Sequence, residues 1–447
     1  MRREGLPDAA VDTFAHYYRL LAEGEKGMLP ESGIEPVESL PDAADLREDA
    51  SREALDRAVV IKLNGGLGTS MGMTRAKSLL EVKDGLSFLD IIARQVLALR
   101  ERTGGRLPLV LMNSFYTRED SLAALRRYPD LEADVPLDFV QGKVPKIGAE
   151  GLEPVEWPAD PALEWAPPGH GDIYTSLATS GMLATLLERG YEYAFIANSD
   201  NLGAVPDPGI LEWFAAEELP FVMEAIDRTE ADRKGGHLAR RPEGGLVLRE
   251  IAQTPDEDAD AFQDVGSHRF FNANNLWVNL RALQAVLEER GGVLGLPMIV
   301  NRKTVDPGDS SSPAVVQLET AMGAAIDVFE GAAALRVPRE RFAPAKTTND
   351  LLTLRSDAYE LTDDALVQLA GGRRQAPFVD LDPEYFKLLR QFDQRFAEGP
   401  PSLVECDRLE VRGDVAFGRG VAVRGAVTVE NAGDEQLRID DGAVLEG

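Results

Sequence analysis

Cysteine is nearly absent from this chain: Cys406 is the one thiol in 447 residues. An intrachain disulfide is therefore excluded, and the residue reads as a small apolar filler. Long hydrophobic runs are missing as well. No stretch approaches the roughly 18 apolar residues of a membrane span. The opening MRREGLPDAAVDTF lacks the apolar core of a signal peptide, so a cytoplasmic location is the expectation. Positive charge is short too: 47 Lys and Arg face 76 Asp and Glu, a formal net charge of −29. That balance argues against nucleic acid or an anionic membrane as a partner, since either needs an extended basic surface. What is present is 44% apolar content over a length that allows two or three domains and a substantial core.

The most informative stretch is VVIKLNGGLGTSMGMTRAKS, Val59 to Ser78, an apolar strand running into a glycine-rich loop and then Lys77. Gly65, Gly66 and Gly68 leave bare backbone where N–H groups can converge on phosphate, and Lys77 adds a mobile charge. Neither familiar glycine loop fits. There is no Gly-Lys-Ser/Thr ending, and Gly66, Gly68 and Gly72 are spaced GxGxxxG rather than GxGxxG. A buried strand feeding the loop, with a Lys-Ser helix entry after it, still favours phosphate binding over a purely structural turn.

This loop resembles the nucleotide-binding loop of eukaryotic-type UTP:glucose-1-phosphate uridylyltransferases, also called UDP-glucose pyrophosphorylases. The likeness continues through LVLMNSF from Leu109, PPGHGDIY from Pro167, NSDNLG from Asn198, KGG from Lys234, NNLW from Asn274, QLETAMGAAI from Gln317 and KTTNDLL from Lys346. It implies uridylyl transfer between UTP and glucose 1-phosphate, with Mg2+ as cofactor. Ser70 stands where many bacterial enzymes of the superfamily carry arginine, which supports the eukaryotic-type branch. FVQGKVPKI keeps Gln141 but differs around it from many relatives. With anionic substrates and an acidic chain, the site must be a local positive island. Of ten lysines, Lys62, Lys77, Lys143, Lys146, Lys234, Lys303 and Lys346 lie in or beside the motif segments.

Four parts follow along the chain. Residues 1–50 hold an amphipathic helix candidate, with Val11, Phe14, Tyr18 and Leu21 at helical spacing, read as an arm on the main domain. Residues 51–370 read as the catalytic domain of α/β class. VVIKL, a helix near Phe88 to Arg100, LVLM, a helix near Arg118 to Arg127, a helix near Ile173 to Glu188 and YAFIAN alternate there. Such alternation predicts a mostly parallel central sheet flanked by helices, Rossmann-like, with ligands beyond the strand C-termini, where Asn64, Asn113 and Asp200 fall. Residues 371–402 read as a linker and helix. From 403 to 447 a period of six appears in two registers: Leu403, Leu409, Val415, Val421 and Val427, then Val411, Phe417, Val423 and Val429. Two apolar registers of that kind predict a C-terminal parallel β-helix, with a pair of hairpins as the alternative. The resemblance implies the same β-helix and adds a homo-oligomer formed through it.

Nucleotidyl transfer brings two anions together: the sugar phosphate attacks the α-phosphorus in line and expels pyrophosphate. Positioning and charge neutralisation are the protein's tasks, and a phosphate monoester needs no general base to be a nucleophile. Asp200 ends the run YAFIANSD, and a carboxylate at a strand end can hold Mg2+ while phosphate oxygens and water complete its shell. A turn cap is the other reading of an aspartate there. His170 can donate to a sugar phosphate or bond only locally. Asp172 reads as a cap of the following helix, and Thr348 or Asn349 as the N-cap of the helix after Lys346.

The resemblance assigns Leu63, Asn64, Gly65, Gly66, Lys77, Gln141, Gly169, Asp200 and Lys346 to UTP, with Gln141 reading uracil and Asp200 holding Mg2+. It assigns His170, Asn198 and Ser199 to glucose 1-phosphate, and makes Lys77 and Lys346 the catalytic pair. Asn272, Asn274 and Glu319 suit hexose hydroxyls, since amides and a carboxylate match donors and acceptors; each also suits a buried hydrogen-bond network. Two further readings stay open: a sister pyrophosphorylase acting on N-acetylhexosamine phosphate or several sugar phosphates, and a non-catalytic UDP-sugar-binding scaffold.

Overall fold

The computed structural model describes residues 1–46 and 51–447; the boundary expected at residue 50 lies outside the described residues. The N-terminal helix α1 spans Asp8–Ala22. Its apolar face, as expected, presents Phe14, Tyr18 and Leu21, and Tyr17 joins them as the one buried side chain. These pack on Ile147, Met298, Val316 and Leu318.

The central strand β1 (Ala58–Asn64) is buried at all seven positions. It carries no polar alternation because both sheet faces are covered. Val60 enters one core and Val59, Ile61 and Leu63 the other, since successive side chains point to opposite faces. Helix α2 (Phe88–Thr103) follows, started by a reciprocal Ser87–Asp90 capping box. Then come β2 (Leu109–Asn113), α3 (Arg118–Leu125) and β3 (Asp138–Val140). The helix expected from Ile173 to Glu188 is two, α4 (Asp172–Thr179) and α5 (Met182–Glu188), separated at Gly181 with φ +78°. Strand β4 (Tyr193–Asn198) completes the alternating half.

In this half β4, β1, β2 and β3 run parallel, in that order. Asn198 aligns with Leu63, and Asn64 with Asn113. Gly65, Gln141 and Ser199 therefore leave the sheet along one edge.

After Asp200 the pattern changes. Strand β5 (Phe221–Asp227) follows a helix at Pro208–Ala216, and β6 (His237–Arg240), β7 (Leu246–Arg249) and β8 (Phe270–Asn279) then follow without a long crossover helix. Strand β8 pairs antiparallel with β4, β5 and β6, and β6 pairs antiparallel with β7 and with Glu35–Pro36. A parallel return needs a crossover of about a dozen residues, whereas short turns give hairpins. Strands β9 (Met298–Thr304) and β10 (Ala314–Thr320) form a separate antiparallel pair. Strand β11 (Ala333–Arg336) rejoins the main sheet parallel to β5. The ten-stranded sheet is therefore mixed, with four parallel pairings against five antiparallel among the described residues, and not mostly parallel. Helix α6 (Thr348–Arg355) is capped by Thr347 with Asp350, one residue earlier than expected.

The C-terminal strands β12 (Phe378–Leu381), β13 (Ser402–Arg412), β14 (Val415–Phe417), β15 (Ala422–Glu430), β16 (Leu437–Ile439) and β17 (Val444–Glu446) pair only in parallel with one another, which excludes hairpins. Leu409 lies beside Val427 and Val411 beside Val429, three periods of six apart. Every residue of both apolar series is buried, as is Cys406, whose thiol is free. The stretch expected as linker contains β12, which supplies the first strand of this stack. One core runs continuously from α2 into these strands. No helix among the described residues is long and apolar enough to cross a membrane.

Candidate active site

The glycine loop is closed by the Lys77 amide donating to the Gly66 carbonyl at 2.9 Å. Lys77 opens a single 3-10 turn, Lys77–Leu79, in place of the expected helix entry. Positive charge must then come from its side chain and not from a helix dipole. A Cβ on Gly65 would stand 2.7 Å from Oε1 of Gln141, so this glycine is what lets Gln141 reach the loop. The Gln141 amide is held by the Asn113 carbonyl at 2.8 Å.

The Asn64 side chain is already engaged. Its buried amide donates to Asn113 Oδ1 and Ser121 Oγ, both at 2.7 Å, and Asn113 passes the chain on to Asp138 at 3.1 Å. That side chain is committed to locking strand ends, which leaves Leu63 and Asn64 only backbone to offer a ligand.

Lys77 Nζ meets Asp200 Oδ2 at 2.6 Å. The Asp200 carbonyl accepts from the Ala345 amide at 3.1 Å, which pins the loop carrying Lys346 beside it. Asn201 reinforces this: its Oδ1 accepts from Ala343 at 2.8 Å, and its Nδ2 donates to the Arg341 carbonyl at 3.1 Å and to Asn275 Oδ1 at 3.2 Å. Beneath lies Glu224, fully buried, which takes the Arg341 guanidinium on both oxygens at 2.7 and 2.5 Å. It also accepts from Trp277 Nε1 at 3.0 Å and Asn275 Nδ2 at 2.9 Å. Buried charge is tolerated there because every lone pair has a donor. Lys346 itself is exposed, with Nζ 5.6 Å over the Phe342 ring and no ion pair among the described residues.

His170 is held from Met322, whose N–H donates to Nδ1 at 3.0 Å. Burial, with a smaller push from Lys346 against a pull from Glu319, lowers its pKa to about 4. The ring is therefore neutral, with Nδ1 accepting and Nε2 carrying the proton as a donor. Its loop is tight: Gly169 has φ +81°, and a Cβ there would stand 2.4 Å from the Thr320 carbonyl. Glu319, beside it, pairs with Lys303 at 3.3 Å.

Asn272 and Asn274 bond each other, amide to Oδ1, at 3.0 Å, across a bulge in β8 where Asn274 sits at φ +55°. A non-glycine residue held in that region marks a constrained position. Asn272 lies against Gly323, next to Met322, and so shares a wall with His170. Asn198 is half-buried at the end of β4, and the Ser199 amide bonds the Leu63 carbonyl at 3.1 Å.

Sequence reasoning missed Arg341, Glu224 and Asn201 as the scaffold of this site, and Glu250 at its wall. The Glu250 carboxylate packs against Gly236, and burial raises its pKa against the pull of Lys346. Only Asn201, inside NSDN, carried a local signal. The positive island is also smaller than the lysine distribution suggests. Lys62 is fully buried and bonds the Ala204 carbonyl at 2.5 Å, and desolvation lowers its pKa to about 7. Lys143 pairs with Glu4 at 2.8 Å, and Lys146 bonds the Val305 carbonyl at 2.7 Å.

The family profile described as UTP–glucose-1-phosphate uridylyltransferase matches residues 11–424. The chain belongs to that family. A UTP–glucose-1-phosphate uridylyltransferase of Hordeum vulgare is 44% identical over 416 residues, 92% of this chain and 85% of that protein. One from Solanum tuberosum is 44% identical over 407 residues, covering 90% and 83%. Among solved structures, a mutant UDP-glucose pyrophosphorylase from Leishmania major in complex with UDP-glucose has a TM-score of 0.95 at 47% identity, covering 100% of this chain and 96% of that one. A UDP-glucose phosphorylase from Trypanosoma brucei gives 0.93 at 47%, with the same coverage. In this uridylyltransferase-family cleft no three His, Cys, Asp or Glu converge among the described residues. The Asp200 carboxylate alone would suit Mg2+ only where phosphate oxygens and water supply the rest of the shell.

Proposed function

We propose that the chain transfers uridylyl from UTP to glucose 1-phosphate, giving UDP-glucose and pyrophosphate. The observation that carries this reading is the 2.6 Å contact between Lys77 and Asp200 at the ends of parallel strands, with the Lys346 loop bonded to the Asp200 carbonyl. Two lysines and a carboxylate so gathered suit a pair of polyanions, and a neutral ligand would not call for them.

In this reading the Leu63–Gly66 backbone, Gln141 and Gly169 hold UTP, with Gln141 on the uracil. His170 donates its Nε2 proton to the sugar phosphate beside Asn198 and Ser199, and Asn272, Asn274 and Glu319 meet hexose hydroxyls. Asp200 would hold Mg2+, and Lys77, now bonded to Asp200, would turn to the incoming phosphates. When bound, Mg2+ supplies charge neutralisation between phosphate oxygens. Lys77 and Lys346 flank the α-phosphorus and the departing pyrophosphate, while the phosphate monoester attacks without a base.

The same reading divides the chain into an arm at 1–50, a catalytic domain at 51–370, a connecting segment at 371–402 and a parallel β-helix at 403–447, the last supported by the parallel registers. A homo-oligomer through that β-helix, whose last strands leave Leu437 38% and Val444 50% exposed, and a cytoplasmic location complete it.

Mg2+-dependent pyrophosphate release from UTP and glucose 1-phosphate tests the proposal. Lys77→Ala and Lys346→Ala are each expected to lose about 10²-fold or more in rate at unchanged fold, the size typical of a lost electrostatic contact. Wild-type protein that binds UTP yet releases no pyrophosphate with any hexose phosphate would overturn the enzyme reading.

A further inference from the structure

Asp172 does not cap helix α4. The helix begins with Asp172 itself, and Gly171, at the capping position, makes no side-chain bond. The carboxylate instead turns back: its Oδ2 accepts the Gly142 N–H at 2.7 Å and the Ser176 hydroxyl at 2.6 Å. Gly142 directly follows Gln141, so the bond joins the segment behind His170 to the segment behind the uracil contact.

The two segments depend on it unequally. The His170 loop has anchors of its own: Gly171 N–H to the Thr320 carbonyl at 2.8 Å, Thr320 N–H to the Pro168 carbonyl at 3.0 Å, and Met322 N–H to His170 Nδ1 at 3.0 Å. The Gln141 segment is held upstream by the Asn113 carbonyl and next by the short strand pairing at Val144. Between them stand the Asp172 carboxylate and, at 3.1 Å from the Gly142 amide, the Ser176 hydroxyl.

The setting strengthens the tether. Asp172 is 9% exposed. Helix α1 lies over it, and Thr13, Phe14 and Tyr17 enclose with Gly142 and Asp172 a cavity of about 40 Å³. Away from water a charge-assisted bond to a backbone amide is strong. That same burial pushes the Asp172 carboxyl up to about 6, against the pull of its two donors.

We infer that Asp172 is a positioning residue for base recognition: by holding the Gly142 N–H it fixes Gln141 against Gly65, where the pyrimidine of UTP is read. This rests on the uridylyl-transfer reading. Steady-state kinetics on the full chain test it. Asp172→Ala should raise KM for UTP by about tenfold or more, the worth of a lost charge-assisted bond, and contract the preference for UTP over CTP by a similar factor. KM for glucose 1-phosphate should stay within about twofold, because the His170 anchors remain. Asp172→Asn keeps an oxygen for the Gly142 N–H and should restore KM for UTP to within about threefold of wild type.

Equal rises in both KM values, or an asparagine variant as impaired as the alanine one, would overturn the inference. If wild type shows no turnover the uridylyl-transfer reading fails, and calorimetric binding of UTP and CTP then carries the test. An unchanged ratio of Kd values in Asp172→Ala would overturn the tether; a contracted ratio, recovered in Asp172→Asn, would support it.

Discussion

His237 gives acid pH a hold on the fold. It is fully buried on β6, its ring centroid 3.8 Å from that of His268 and 5.0 Å from that of Phe262, and its Nε2 has no partner among the described residues. Burial lowers its pKa from the ordinary 6.5 to about 2, with His268 and the guanidinium groups of Arg228 and Arg249 adding to the effect. Glu31 and Asp258 cannot offset this, because their carboxylates are bonded to Arg249 and His268. Above pH 6.5 the ring is neutral in the folded and the unfolded chain, and stability does not depend on it. Below 6.5 the unfolded chain binds a proton that the folded chain refuses. Stability then falls by about 1.4 kcal/mol per pH unit, or about 2 kcal/mol at pH 5. His237→Phe keeps an aromatic ring on His268 and removes the titration. Urea unfolding of both proteins from pH 8 to pH 5 is the assay. Whatever the offset at pH 8, the difference in unfolding free energy should move by about 2 kcal/mol in favour of the variant as pH drops to 5. Parallel profiles, agreeing within about 0.5 kcal/mol over that range, would refute the reasoning.

Two more expectations follow from buried charge near the site. Glu224→Ala strands the Arg341 guanidinium together with the Trp277 and Asn275 donors. It should cost about 3–5 kcal/mol of stability by urea unfolding, and a loss under about 1 kcal/mol would show that the pair is not structural. His170 should show no imidazole titration by NMR between pH 8 and pH 5 and a midpoint near 4, because protonation would take Nδ1 away from the Met322 N–H; a midpoint near 6.5 would mean that the ring is solvated.

Where the chain repeats a local rule, its structure was legible. The period of six in the C-terminal segment became parallel strands in register, because each apolar position has an equivalent three periods on to stack against. The run Ala58–Asn64 became a central strand, since five apolar residues, interrupted only by Lys62 and ended by Asn64, have no face to give to water. Alternation of strand and helix up to Asp200 likewise produced the parallel half of the sheet. The same reasoning failed beyond Asp200, where β6 and β7 form a hairpin and β8 enters antiparallel between β4 and β5, a direction that strand content does not set.

Within the candidate site, Lys77 and Asp200 could be read from the residues, whereas Gln141 came only from the family resemblance; Gln141 and Asp200 follow parallel strands, and Lys77 is bonded to Asp200. What each side chain touches was not written locally. Lys62 and Asn64 sit in the strand that feeds the most recognisable loop, yet both side chains are taken up by the scaffold, because the partners that claim them, Asn113, Ser121 and Ala204, arrive from distant segments. Asp172 looks like a cap in its own sequence and acts as a tether only because Gly142 is brought beneath it. Glu224 and Arg341 carry no signature at all and are joined by the fold. Local spacing encodes strand, helix and loop because those depend on neighbours in the chain. Hydrogen-bond partners and shifted pKa values depend on desolvation and on charges brought close by folding, and these exist only once the segments have packed.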